Sequence, residues 1–268
     1  MLEIIFYLVL GVIAGVLAGL FGVGGGIVFV PALLIGFEWL DVPESVLTHL
    51  AVGTSLACVI FTAISSVIAH HRKQGVIWKS VRNMSGFLLL GAILGAWTAD
   101  QLSGFVLRLI LGSFLLVMAT KMLFENSSKI EMVKESNPAI FVIGLMGLAT
   151  GWISSMLGIA GGALTVPFLK AYGAPIKKAI GTASALGLPI ALAGTVTHIL
   201  VAGDNQDLPR WSLGYVYLPA FLGIVATSAY FAKWGARLAH HMDQVILQRL
   251  FGLLLAFLAI RMIWITLF

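Results

Sequence analysis

Gly22-Val23-Gly24-Gly25-Gly26, closed by Pro31, interrupts an otherwise apolar run near the start of the chain. Gly158-Ile159-Ala160-Gly161-Gly162, closed by Pro167, does the same 136 residues on. The register extends outward from both breaks. At that shift Gly11, Gly15, Gly22, Gly25, Gly26 and Pro31 fall on Gly147, Gly151, Gly158, Gly161, Gly162 and Pro167. Downstream the shift becomes 128, and Gly53, Thr54, Ala57, Ala63 and His70 fall on Gly181, Thr182, Ala185, Ala191 and His198. Chance does not place two break signals and a histidine in register, so the chain reads as two homologous halves. Each half carries an interrupted hydrophobic helix near its start.

Composition fixes the class. Of 268 residues, 60% are hydrophobic and 10% charged, against about 25% charged in a soluble domain. With a mean hydropathy of +1.04, this is expected to be an all-α integral membrane protein, because a lone chain in lipid must satisfy its backbone internally. Soluble cores and coiled coils are excluded. The formal charge of +5 does not point to nucleic acid, since the basic residues are scattered among short loops. The single cysteine, Cys58, permits neither a disulfide framework nor a cysteine metal site. Met1 to Phe21 has no basic leader region and reads as a first span.

Apolar runs of roughly spanning length, about 20 residues, follow in order. Ile4–Phe21, Ile27–Phe37, Val46–Ala69, Val81–Ala99 and Phe105–Phe124 make a first repeat over residues 1–124. A charged stretch, 125–138, reads as a cytoplasmic linker. Ala139–Leu157, Ala163–Leu169, Ala179–Ala202, Leu213–Phe231 and Val245–Leu267 make the second repeat over 139–268. The short segments 27–37 and 163–169 are open to two readings, full spans or re-entrant helices.

Loop charge sets the orientation. Arg72, Lys73, Lys79 and Arg82 follow the third segment, where the second half has Asp204, Asp207 and Arg210. Glu38, Asp41 and Glu44 precede it, where the second half has Lys170, Lys177 and Lys178. Equivalent loops have switched sign, so the two repeats are expected to be inverted, with both termini on the outer side of a plasma (inner) membrane. Arg108, Arg249 and Arg261 fall within segments and read as snorkelling anchors.

Inverted repeats with interrupted helices are a mark of secondary transporters. A glycine run lets the backbone leave the helix, and the next helix then starts inside the protein with free N–H groups and a positive dipole end. That is an anion site without a basic side chain. Gly22, Gly24, Gly25 and Gly26 in one half, and Gly158, Gly161 and Gly162 in the other, are therefore the candidate substrate-lining residues. Gly11, Gly15 and Gly19, four apart, read instead as close helix packing. Thr54, Ser55 and Thr182 are the best-placed hydroxyls, with Ser154 and Ser155 behind them. His70 and His198 are candidates for gating or proton linkage; the plainer alternative is a histidine capping its helix at the interface. His49 sits near an entrance and has no copy. No carboxylate lies well inside a segment, there is no GxxxxGK[ST] phosphate loop, and no metal-ligand cluster or cofactor motif appears.

Taken together, these motifs resemble the sulfite exporter TauE/SafE family of membrane permeases. The carrying residues are the two glycine runs ending at Pro31 and Pro167, the Gly53-Thr54-Ser55 and Gly181-Thr182 helix starts, and His70 and His198. The second run departs by having Ala160 where Gly24 stands. The resemblance covers essentially the whole chain and implies export of small sulfur-containing anions such as sulfite or organosulfonates like sulfoacetate. The expected partners are a small anionic substrate and the lipid bilayer, with no nucleic acid and no cofactor. The expected mechanism is alternating access; a passive anion channel or a permease for another organic anion are the alternatives. An enzyme would need a nucleophile–base pair or a metal set in the membrane.

Overall fold

The computed structural model describes residues 2–21, 26–124, 139–203, 205–239 and 244–267. Among them lie ten helices: α1 (Leu2–Phe21), α2 (Gly26–Trp39), α3 (Glu44–Arg72), α4 (Trp78–Gln101), α5 (Gly104–Phe124), α6 (Ile140–Leu157), α7 (Gly162–Ala171), α8 (Ile176–Val201), α9 (Leu218–Ala239) and α10 (Gln244–Leu267). Five stretches are long and apolar enough to cross a membrane: α3, α5, α6, α8 and Arg249–Leu267 of α10. The protein is an all-α multi-pass membrane protein. The linker 125–138 lies outside the described residues, as do Gly22, Gly24 and Gly25 of the first break.

One expected span, Leu213–Phe231, begins later than its apolar run, at Leu218 of α9. Residues before Leu218 form a small hairpin, β1 (Ser212–Leu213) against β2 (Val216–Tyr217), antiparallel with Ser212 opposite Tyr217. Gly214, at a φ of 53°, makes the turn, a left-handed conformation that glycine adopts without a Cβ penalty.

Helices of one half pack on helices of the other. α1 lies along α9, α6 along α4, α5 along α10 and α3 along α8. Small residues set the approach. Gly11 and Gly15 abut the backbone of Ile224 and Ser228, while Gly147 and Gly151 abut Phe87 and Leu88. The two sets are in the 136-residue register, and the packing reading of Gly11 and Gly15 agrees with these contacts. α3 and α8 run antiparallel: Leu56 meets Gly194, His70 meets Gly181, and Ser66 Oγ donates to Ser184 Oγ at 3.0 Å.

Two further hydrogen bonds are exchanged in the same reciprocal way. The Tyr217 N–H donates to Thr54 Oγ1 at 2.9 Å. The Ile77 N–H donates to Thr182 Oγ1, also at 2.9 Å. Beside each threonine a glycine makes room for the incoming turn: a Cβ on Gly53 would run into the Tyr215 carbonyl, and one on Gly181 into the Gly75 carbonyl. Each long helix thus holds the turn that precedes a helix of the opposite half. Valine at Thr54 or Thr182 keeps the shape but removes the acceptor, at about 1–3 kcal/mol for a buried donor. Thr54→Val and Thr182→Val should each lower the melting temperature of the detergent-solubilised protein, and serine at either position should restore most of it. Unchanged melting in both valine variants would remove these threonines from the list of structural pins.

Candidate functional site: the junction of two helix starts

The second break is built on two left-handed glycines. Gly158, at φ 73°, ends α6, and Gly161, at φ 73°, is the N-cap of α7. The Ile159 N–H returns to the Ser154 carbonyl at 2.9 Å, and the Leu164 and Thr165 N–H groups close on the Gly161 carbonyl. Gly161, the N-cap, has no side chain with which to cap α7. The N–H groups of Gly162 and Ala163 precede the first acceptor of their own helix, and α7 begins with a partial positive charge. This start is wholly inside the protein: Ile159 and Ala160 are buried.

The start of α2 meets it there. A Cβ on Gly26 would lie 3.0 Å from Ile159 Cα and 3.1 Å from the Gly158 carbonyl oxygen. Ser55, on α3, donates its hydroxyl to the Gly158 carbonyl at 2.7 Å, and the same oxygen lies 3.5 Å from the Gly26 carbonyl. Val52, one turn earlier, rests on Gly158. Of the sequence-derived residues, Gly26, Ser55, Gly158, Gly161 and Gly162 are therefore brought together. Thr54 and Thr182 lie elsewhere, bonded to the turns described above.

From the junction α2 and α7 leave in opposite directions. Ile27, near the start of α2, shares a cavity with Phe251 and Leu255 of α10. Its far end carries Glu38, paired with Arg261 near the other end of α10 at 3.2 Å. α7 runs the other way, to Lys170 beside Lys121. The cavity has a volume of about 340 Å³ and reaches both Ile27 and Gly162. Lys121 and Lys170, both exposed, line its mouth. Loop charge alone uses Lys170 only to orient the chain; its convergence with Lys121 depends on α5 and α7 ending at the same level.

The titratable residues also take particular places. His70 sits partly exposed in the last turn of α3. His198 is fully buried and lies 3.4 Å from the Ser155 carbonyl, which corrects the interfacial-cap alternative for this residue. Of the arginines read as snorkelling anchors, Arg108 is corrected likewise. Arg108 is 4% exposed and binds Glu44 at 2.8 Å, while Arg261 binds Glu38; Arg249 is exposed. Among the described residues no group of three or more His, Cys, Asp or Glu gathers as a metal set.

Residues 7–262 match the sulfite exporter TauE/SafE family. The chain belongs to that family. It is similar to a probable membrane transporter protein of Haemophilus influenzae, 38% identical over 97% of both chains. A probable membrane transporter protein of Methanocaldococcus jannaschii is 28% identical over 86% of this chain and 84% of its own length. One from Xylella fastidiosa is 28% identical over 95% and 92%. The family match spans the junction and its cavity.

Proposed function

We propose that this TauE/SafE family protein is a membrane transporter that exports small sulfur-containing anions, such as sulfite or organosulfonates, by alternating access. The observation that carries the reading is the cavity that runs from Lys121 and Lys170 to the starts of both α2 and α7. Its mouth supplies positive charge to attract an anion, and its end supplies uncapped N–H groups and a dipole rather than a fixed cation. A site of that kind releases its ligand more readily than a buried lysine would. Beyond Gly158, Val52 and Ser55 cover the junction from the α3 side, which favours a carrier with one side closed over a continuous channel.

Orientation supplies the direction. Positive loops lie in the cytoplasm, which places Lys121 and Lys170 inside, the 71–82 turn inside and the 203–210 turn outside. The two halves are then inverted repeats in the plasma membrane with both termini outside. The antiparallel α3 and α8 and the reciprocal threonine bonds support that relation. A cavity open to the cytoplasm takes its substrate from there.

Purified protein in proteoliposomes should show saturable, trans-stimulated flux of sulfite and sulfoacetate and little flux of chloride. Cysteines placed at Lys73 and Asn205, in a Cys58→Ser background, should react with an impermeant maleimide from opposite sides. Labelling of both from one side sinks the inversion; linear, unsaturable flux favours the channel.

A further inference from the structure

Outside the junction, the described residues hold one cluster of buried titratable groups that the proposed transport path does not use. His49 of α3 and His198 of α8 are 4% and 0% exposed. Tyr215, from the β1–β2 turn, lies between them. Its ring stacks on His49 with centroids 5.2 Å apart and meets His198 edge-on at 6.2 Å. The Tyr215 hydroxyl donates to Asp100 of α4 at 2.9 Å.

The hydrogen bonds fix where the imidazole protons are. His49 Nε2 lies 3.0 Å from the Ala99 carbonyl and 3.1 Å from the Leu102 carbonyl. His198 Nε2 faces the Ser155 carbonyl. Carbonyl oxygens only accept, so each Nε2 carries a hydrogen and each neutral ring keeps its lone pair on Nδ1. Both Nδ1 atoms are buried and have no hydrogen-bond partner among the described residues. Two basic nitrogens are thus held inside the protein with the opposite edge of each ring anchored. We propose that His49 and His198, clasped around Tyr215, are the proton site of a proton–anion symporter.

The neighbouring charges allow this role. Asp100 faces the cluster from α4 and Tyr215 from the turn. Burial, then the hydrogen bond and charge of Asp100, push the Tyr215 hydroxyl up to about 12, with Asn205 pulling the other way, so it remains a donor at neutral pH. Arg108 of α5 is occupied by Glu44 and Thr48, and Asp207 of the outer turn by Ser45. From α6 the cluster receives only the Ser155 carbonyl. That carbonyl belongs to the turn ending at Gly158, so a proton on His198 and an anion at the junction lie close enough to stabilise each other. An imidazolium and an anion on neighbouring turns attract each other. Proton and anion therefore bind together and leave together, and with a dianion such as sulfoacetate the pair keeps one net negative charge, so that a membrane potential negative inside drives it outward. The Tyr215 ring face accommodates a cation on His49, and repulsion between two imidazoliums around one ring limits the load to one proton.

The inference rests on the transport reading above, and its test separates the two. Proteoliposomes are loaded with sulfoacetate, whose acid groups stay ionised near neutral pH, with the membrane potential held at zero by potassium and valinomycin. A pH difference of one unit should then drive about ten-fold accumulation on the alkaline side, as one proton per anion requires. His49→Gln and His198→Gln each place an amide N–H where Nε2 was but cannot titrate. Each should still pass sulfoacetate down its own gradient, with pH-driven accumulation reduced to about one-fold by loss of the coupled proton. Should His49→Gln not insert, His198→Gln alone decides. Wild-type accumulation on the acid side, none on either side, or full accumulation in the glutamine variants would overturn the proposal. Absence of any anion flux in the wild type would instead overturn the transport reading beneath it.

Discussion

Gly161→Val is expected to end anion flux while leaving the protein in the membrane. Gly161 sits at φ 73°, where a β-branched residue is a genuine outlier, at a cost of about 1–3 kcal/mol. Its Cβ would also come 2.7 Å from Ile190 Cδ1, 3.2 Å from Ser154 Oγ and 3.3 Å from Thr150 Cγ2. Relief requires α7 to shift, and α7 supplies the free N–H groups at the end of the cavity. With the α7 start as the anion site, a shift of about 1 Å there is expected to lower turnover by about 100-fold. Flux in proteoliposomes reads the loss, and fluorescence-detected size exclusion reads insertion. Gly161→Ala should lose less, since alanine tolerates the conformation better than a branched residue. Wild-type flux in the valine variant would remove the α7 start from the site.

Reversing the charge at the cavity mouth is expected to have the second largest effect. Lys121 and Lys170 share the mouth, and both are exposed. Clefts lined by one sign of charge raise the arrival of the opposite sign by about 10–1,000-fold. Lys121→Glu combined with Lys170→Glu should lower flux at limiting sulfite by at least about ten-fold on that scale. The deficit should shrink as salt rises, because exposed charges are screened over about 8 Å at physiological ionic strength. The glutamine pair should fall between the wild type and the glutamates. A loss that is independent of salt would place the lysines in a structural role.

The matched glycines and threonines were legible in the sequence because these residues act through the backbone, which leaves a register. Gly53 with Thr54, and Gly181 with Thr182, recur because each pair holds a turn of the opposite half. Sequence gave no means of telling that use of a threonine hydroxyl from an anion contact, whereas Ser55, one residue along α3, turns out to face the junction. The β1–β2 hairpin was hidden because Leu213 to Phe231 reads as one apolar run, and the interruption at Gly214 looks like any helix glycine. The partners of Arg108 and Arg261 lie 64 and 223 residues away, beyond any local pattern. His49 has no copy in the second half, so no register marked it, yet it is the residue on which Tyr215 stacks.

The exchange of threonine bonds has a further consequence. Thr54 accepts from the turn before α9, and Thr182 accepts from the turn before α4. Contacts in which patch one meets patch two, and patch two meets patch one, are those of an isologous dimer. Each half therefore carries a lock and the key to an identical lock, and neither is closed within itself. Either half, expressed without the other, is therefore expected to seek a second copy of itself.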